Sequence, residues 1–189
     1  MDYISTRGQS PAVDSAQAVL SGLAPDGGLY MPRAIPAFDW QHCLTLSAQQ
    51  MSAAILSALL PDIPNMEALV KRAYTGKFET EDLTPTVPVG DFQVLEIFRG
   101  PTSSYKDVSL SMLPHLLTAA KREKGIAQEI RILTATSGDT GKAALVGFQD
   151  VPGVSICVFY PFGGVSQVQR AQMVTQEGEN VHVCAVEGN

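Results

Sequence analysis

The chain has 189 residues, 45% of them apolar and 17% charged, with a mean hydropathy of +0.08. That composition suits one large or two small packed domains and excludes a disordered or fibrous chain. A net charge of -6 and a pI near 5.0 argue against a nucleic-acid binder, because phosphate contacts need a basic surface.

No apolar run approaches the roughly 20 residues of a membrane helix. The opening "MDYISTRGQS" has no apolar core of a signal peptide, so a soluble, cytoplasmic protein is expected. Cys43, Cys157 and Cys184 are widely spaced, without a C-x-x-C pair or a Cys/His cluster, so no metal site is expected. Cys157 and Cys184 sit in apolar strand-like runs and read as small core residues.

In chain order, residues 14–23 place apolar side chains at 16, 19, 20 and 23, the spacing of a helix. Gly22 helps to end it. Residues 22–36, "GLAPDGGLYMPRAIP", are too rich in Gly and Pro for a regular element and read as a structured loop. Residues 47–60 begin with Ser47 and have Gln50 three positions on, a capping-box pattern ahead of the Met51, Ile55, Leu59 stripe. Residues 65–74 give a third helix, followed by a polar linker over 79–90.

From there the pattern alternates. Strands are predicted at 92–98, 129–135, 154–160 and 181–187, and helices at 107–125, 139–149 and 166–178. Pro114 inside the first of these helices implies a kink or a break. The strands are short and apolar on both faces, as in a parallel sheet covered by helices. The organisation is therefore a mainly helical region 1–90 followed by an α/β region 91–189 containing a βαβαβ unit.

Three segments carry chemical interest. In "ILTATSGDTGKAAL" (132–145) a strand runs into Ser137, Gly138, Asp139, Thr140 and Gly141 and then into a helix. Free N–H groups at that helix start, with the Ser137 and Thr140 hydroxyls, make a cradle for an anion. The same residues also read as a plain capped helix start, with Asp139 or Ser137 as N-cap. In "FRGPTSSYKDVSLSML" (98–113), Lys106 precedes a helix whose positive end favours the neutral amine, the form that attacks an aldehyde. Asp107 opposes that effect, and an exposed loop lysine is the plainer alternative. Tyr105 either stacks on a flat ring or anchors the helix. "YPFGGVSQVQRAQM" (160–173) is a third strand–turn–helix junction, with Ser166 as N-cap. His42, His115 and His182 share no spacing with a nucleophile and read as structural or surface residues.

Together these segments resemble the threonine synthase family of pyridoxal-phosphate enzymes, which have the tryptophan-synthase-β-like, type II fold. "YISTRG", "GLAPDGGLYMP", "GPTSSYKD", "ATSGDTG", "YPFGGVSQVQRAQM" and "VEGN" fall in the family's order through nearly the whole chain. Ser103 and Ser104 are more polar than the family's usual Leu-Ala pair, and Tyr105 stands for its usual phenylalanine.

The resemblance implies a partial, doubly wound parallel sheet and pyridoxal 5'-phosphate as cofactor. It implies Lys106 as the catalytic lysine that holds the cofactor and then moves protons on the substrate. Ser137, Gly138, Asp139, Thr140 and Gly141 would face the cofactor. Thr102, Ser137 and Thr140 would face the substrate, O-phospho-L-homoserine, whose products are L-threonine and phosphate. No metal, nucleic acid or membrane is implied, and the oligomeric state, monomer or dimer, stays open. The family's Gly-rich loop for the cofactor phosphate, and its group facing the pyridine nitrogen, have no counterpart here. The expectation is an N-terminal portion that binds cofactor weakly and turns over negligibly alone. A serine/threonine dehydratase, a threonine-synthase-like phospho-lyase and a non-catalytic anion-binding module are the alternative readings.

Overall fold

The computed structural model describes residues 1–136 and 138–188. The chain divides into two compact units, Met1–Arg72 with Leu116–Ala127, and Ala73–His115 with the residues from Gln128 onward.

The first unit opens with β1 (Tyr3–Ser5), α1 (Ser15–Ser21) and β2 (Tyr30–Pro32). β1 and β2 pair antiparallel, with Tyr3 opposite Pro32. α2 (Trp40–Cys43), α3 (Ala48–Leu59) and α4 (Met66–Tyr74) follow. Ser47 and Gln50 form the capping box expected at the head of α3. The core gathers Ala16, Ala53, Ile63, Met66, Leu69 and Val70, with Leu116, Leu117, Ala119 and Ala120 from the later segment. Each buried Ile, Leu, Met or Val side chain among them contributes roughly 1.5–3 kcal/mol.

Polar ties fix the connections around that core. Asp62 accepts hydrogen bonds from the Ser15 hydroxyl at 2.8 Å and the Ser15 N–H at 3.1 Å, and pairs with the terminal ammonium at 3.3 Å. The Gly-rich loop after α1 is knotted by Asp26, which accepts from Ser5 Oγ at 2.6 Å and from the N–H groups of Gln9 and Gly28 at 2.9 Å each. These donors, the Ser5 hydroxyl first, hold the Asp26 carboxyl at a pKa of about 2. A Cβ at position 28 would lie 2.1 Å from Ser5 Oγ, so only glycine fits that approach.

The second unit begins with an antiparallel hairpin, β3 (Thr86–Val89) and β4 (Phe92–Leu95). The sequence pattern assigns 86–89 to the linker and extends β4 to 98. The hairpin is short, its register running from Thr86 opposite Leu95 to Val89 opposite Phe92. α5 (Asp107–Glu123) then carries its first half here and its second half in the first unit. It continues through Pro114 without a break.

The rest is β5 (Ile130–Ala135), α6 (Asp139–Phe148), β6 (Val154–Pro161), α7 (Gln167–Val174) and β7 (Val181–Val186). The three strands form a parallel sheet in the order β5-β6-β7, the βαβαβ unit that the sequence pattern implies. Val154, Ile156 and Val158 of β6 are buried with Leu145 and Phe148 of α6 and Met173 of α7. The other face differs from expectation. Leu133 is 72% exposed, Cys157 is half-buried and Cys184 is exposed. The described helices cover one face of these strands, and the two cysteines lie on the other, outside the core of the described residues.

Candidate functional site

The C-terminal ends of the three strands and the loops that follow them make one rim, where ligands of open α/β sheets bind. A cavity of about 410 Å³ lies there, lined by Ala135, Thr136, Phe159, Tyr160, Pro161 and Val186.

After β5, Gly138 is the N-cap of α6 and no side chain caps the helix. The capped-start alternative for this loop is therefore not what is seen. Asp139 occupies the first helical position and Thr140 follows it, both exposed. The first turn of α6 thus receives no side-chain bond from its N-cap residue at the helix end that attracts anions. Gly141 is buried instead. A Cβ there would lie 2.3 Å from Thr136 Cγ2 and 3.1 Å from Val158 Cγ1, so its lack of a side chain lets α6 close onto the sheet. Ser137 lies outside the described residues. After β6, Ser166 caps α7, as expected, and Gln169 completes a capping box with it. A Cβ on Gly138 would meet Gln169 Nε2 at 2.9 Å, so the two loops are neighbours.

The lysine segment is built from its own ends. Asp107, 2% exposed at the start of α5, accepts the Thr102 N–H at 2.8 Å and the Thr102 hydroxyl at 2.6 Å. The turn between them, with Ser103 at φ 57°, leaves Tyr105 exposed and Lys106 half-buried while Ser104 is buried. Thr102, a substrate candidate by sequence, therefore has its hydroxyl engaged with Asp107.

Lys106 Nζ sits 2.9 Å from Asp139 Oδ2, and the Ser104 hydroxyl donates to the same oxygen at 3.0 Å. The Lys106 side chain is 24% exposed and that of Asp139 61%. The Asp139 carboxylate raises the lysine pKa above its ordinary value, outweighing the desolvation that lowers it. The lysine in turn, with Ser104 second, lowers the pKa of Asp139. A negative charge in the first turn of α6 also suits the helix dipole. The Lys106 ammonium lies 4.8 Å from the Tyr105 ring centre, a cation–π contact. The counter-charge to Lys106 is thus Asp139, not its sequence neighbour Asp107.

Ser104 is the residue that reasoning from sequence missed as a site member. Its signal was present as a polar side chain at a position the family usually fills with a small or apolar one. Among the described residues, no group of three or more His, Cys, Asp or Glu is placed to hold a metal ion. No described helix is long and apolar enough to cross a membrane.

Comparison with known proteins addresses the remaining question of kinship. Residues 2–74 match the family described as the threonine synthase N terminus. Threonine synthase from Pseudomonas aeruginosa is 36% identical over 196 residues, covering 100% of this chain and 41% of that protein. The chain is similar to threonine synthases along its whole length. Threonine synthase from Saccharomyces cerevisiae and threonine synthase-like 2 from Mus musculus are each 36% identical to it. The solved structure of pyridoxal-phosphate-bound threonine synthase from Brucella melitensis superposes with a TM-score of 0.90 at 37% identity, covering 100% of this chain and 42% of that one. Threonine synthase from yeast superposes at 0.88, so the mixed helix-and-strand fold with its parallel sheet is the one those structures have. The chain spans about two fifths of the length of the relatives it matches.

Proposed function

We propose that this chain forms the lysine-bearing part of a threonine synthase, which converts O-phospho-L-homoserine and water to L-threonine and phosphate with pyridoxal phosphate. The observation that carries the reading is Lys106. Its amine stands beside Asp139 at the ligand-binding rim of a parallel sheet, in a chain whose relatives include a structure solved with that cofactor.

The residues fit the cofactor by their chemistry. A primary amine is needed for covalent attachment, and Lys106 supplies it. N–H donors are needed for anions, and the first turn of α6 supplies them. When bound, pyridoxal phosphate supplies an electron sink for bond breaking at the amino-acid carbons.

The protein's part is positional. Asp139 keeps Lys106 protonated until a ligand replaces that contact, and loss of the proton at Nζ makes the amine nucleophilic. The freed amine then accepts and returns a proton on the substrate. Thr140 and the α6 N-terminus attract a phosphate group by charge and by N–H donation. Ser104, anchored below Asp139, limits how far the carboxylate swings.

Borohydride reduction of the protein saturated with pyridoxal phosphate, followed by peptide mapping, tests the attachment. Label confined to Lys106 supports the reading, and label on other lysines alone removes it. Relatives named threonine synthase-like 2 match equally well and support a second reading, a phospho-lyase on the same scaffold. Phosphate and threonine released in equal amounts favour the synthase. Phosphate without matching threonine favours the lyase.

A further inference from the structure

Cys157 and Cys184 stand on neighbouring strands with their sulfurs 3.7 Å apart. In the parallel pairing of β6 and β7, Cys157 is opposite His182 and Phe159 opposite Cys184. The two-residue period of a strand therefore puts Cys157, His182 and Cys184 on one face. Among the described residues Cys157 is half-buried and Cys184 exposed on this face.

Two outcomes compete for such a pair of thiols. A disulfide needs sulfurs at about 2.05 Å and Cα atoms no more than about 6.8 Å apart. The cysteines are offset by two residues along strands that lie about 4.8 Å apart and rise about 3.3 Å per residue, so their Cα atoms are about 8 Å apart. The backbone opposes that bond. A tetrahedral ion bound through thiolates at about 2.3 Å instead holds its two sulfurs about 3.8 Å apart. The spacing of 3.7 Å already matches it, so a chelated ion requires no backbone shift.

We propose that Cys157 and Cys184 form a two-thiolate chelate for a soft divalent cation of the zinc and cadmium class. On binding, two S–H bonds break and two sulfur–metal bonds form. Two protons leave to solvent, and no electrons are transferred. Burial, with Cys184 as a second cause, raises the Cys157 thiol above its ordinary value, so its proton is still in place when the ion arrives and is displaced by it. The described residues offer no cluster of three or more metal-binding groups. Among the described residues the two thiolates are the protein's share, and water or a small solute completes the coordination in this chain.

The test is titration of the reduced, purified protein with Cd²⁺, followed by the thiolate-to-cadmium charge-transfer absorbance in the ultraviolet and by proton release. One ion per chain, two protons released, and affinity at least tenfold weaker in both Cys157→Ser and Cys184→Ser support the site. Cys43→Ser, on a buried cysteine of α2, leaves the signal intact. A band that survives at full affinity in either single variant, or no saturable band, overturns it. Should Cys157→Ser fail to fold, native protein alkylated at the exposed Cys184 gives the same reading.

Discussion

Lys106 Nζ and Asp139 Oδ2 lie 2.9 Å apart although 33 residues separate them in the chain. The lysine comes from the turn before α5 and the aspartate from the first turn of α6. Their contact exists only because the loop after β5 delivers Asp139 to the rim of the sheet. The proton on Lys106 is therefore under the control of a residue that belongs to a different element.

Asp139→Asn removes that control. Lys106 is raised above 10.5, so its contribution to stability is present below that value and fades as pH rises through the raised pKa. Asp139 is lowered below 3.8, so its contribution is present above that value and fades as pH falls through the lowered pKa. The pair is whole between those limits. In the asparagine variant the lysine gives up its proton more readily, and the midpoint for borohydride-fixed attachment of pyridoxal phosphate moves to lower pH. A midpoint identical to wild type would mean that the pair does not govern attachment.

Ser104→Ala breaks the other hydrogen bond to Asp139. The hydroxyl is part-buried and its net worth is about 0.5–1.5 kcal/mol, read as a fall in the urea midpoint. The attachment midpoint moves in the same direction as in Asp139→Asn, but less, because the carboxylate remains. A larger shift than in Asp139→Asn would contradict the arrangement.

Asp26→Asn tests the knotted loop. The carboxyl has a pKa of about 2 against 3.8 when free. Its stabilisation is therefore full above pH 3.8 and is lost as pH falls through about 2. The variant should be less stable than wild type at pH 7, and the gap should close towards pH 2. Thermal unfolding of both proteins across that range gives the comparison, and a constant gap would refute the assignment.

Gly141→Ala separates packing from ligand contact. The new methyl would sit 2.3 Å from the Thr136 methyl, and overpacking of this kind costs about 1–3 kcal/mol. Stability should fall while attachment at Lys106, measured on the folded fraction, is retained. Loss of attachment at unchanged stability would restore glycine 141 to a ligand-facing role.

Much of this was legible in the sequence. Ser47 with Gln50 announced the head of α3, because a capping residue and its partner sit three positions apart, and Ser166 alone announced the head of α7. The alternation of β5, α6, β6, α7 and β7 showed in runs of six to ten residues. β1, β2 and β3 did not, because strands of three or four residues are too short to display a period. The cysteines of β6 and β7 were assigned to the core because composition gives a strand's hydrophobicity but not which of its faces is covered. Lys106 was found from its setting, whereas its bond to Asp139 was not. Contacts across 33 residues depend on how the chain returns, which local pattern does not encode.

The turn from Thr102 to Asp107 also bears on the entropy of ligand capture. Asp107 takes both donors of Thr102 inside the unit, so the stretch bearing Lys106 is clamped at both ends before anything binds. A ligand arriving at this amine meets a lysine whose backbone has little freedom left to lose. Loosening the clamp, by replacing Thr102 with valine, would therefore appear chiefly as a slower search and a weaker affinity, with the chemistry of the amine itself untouched.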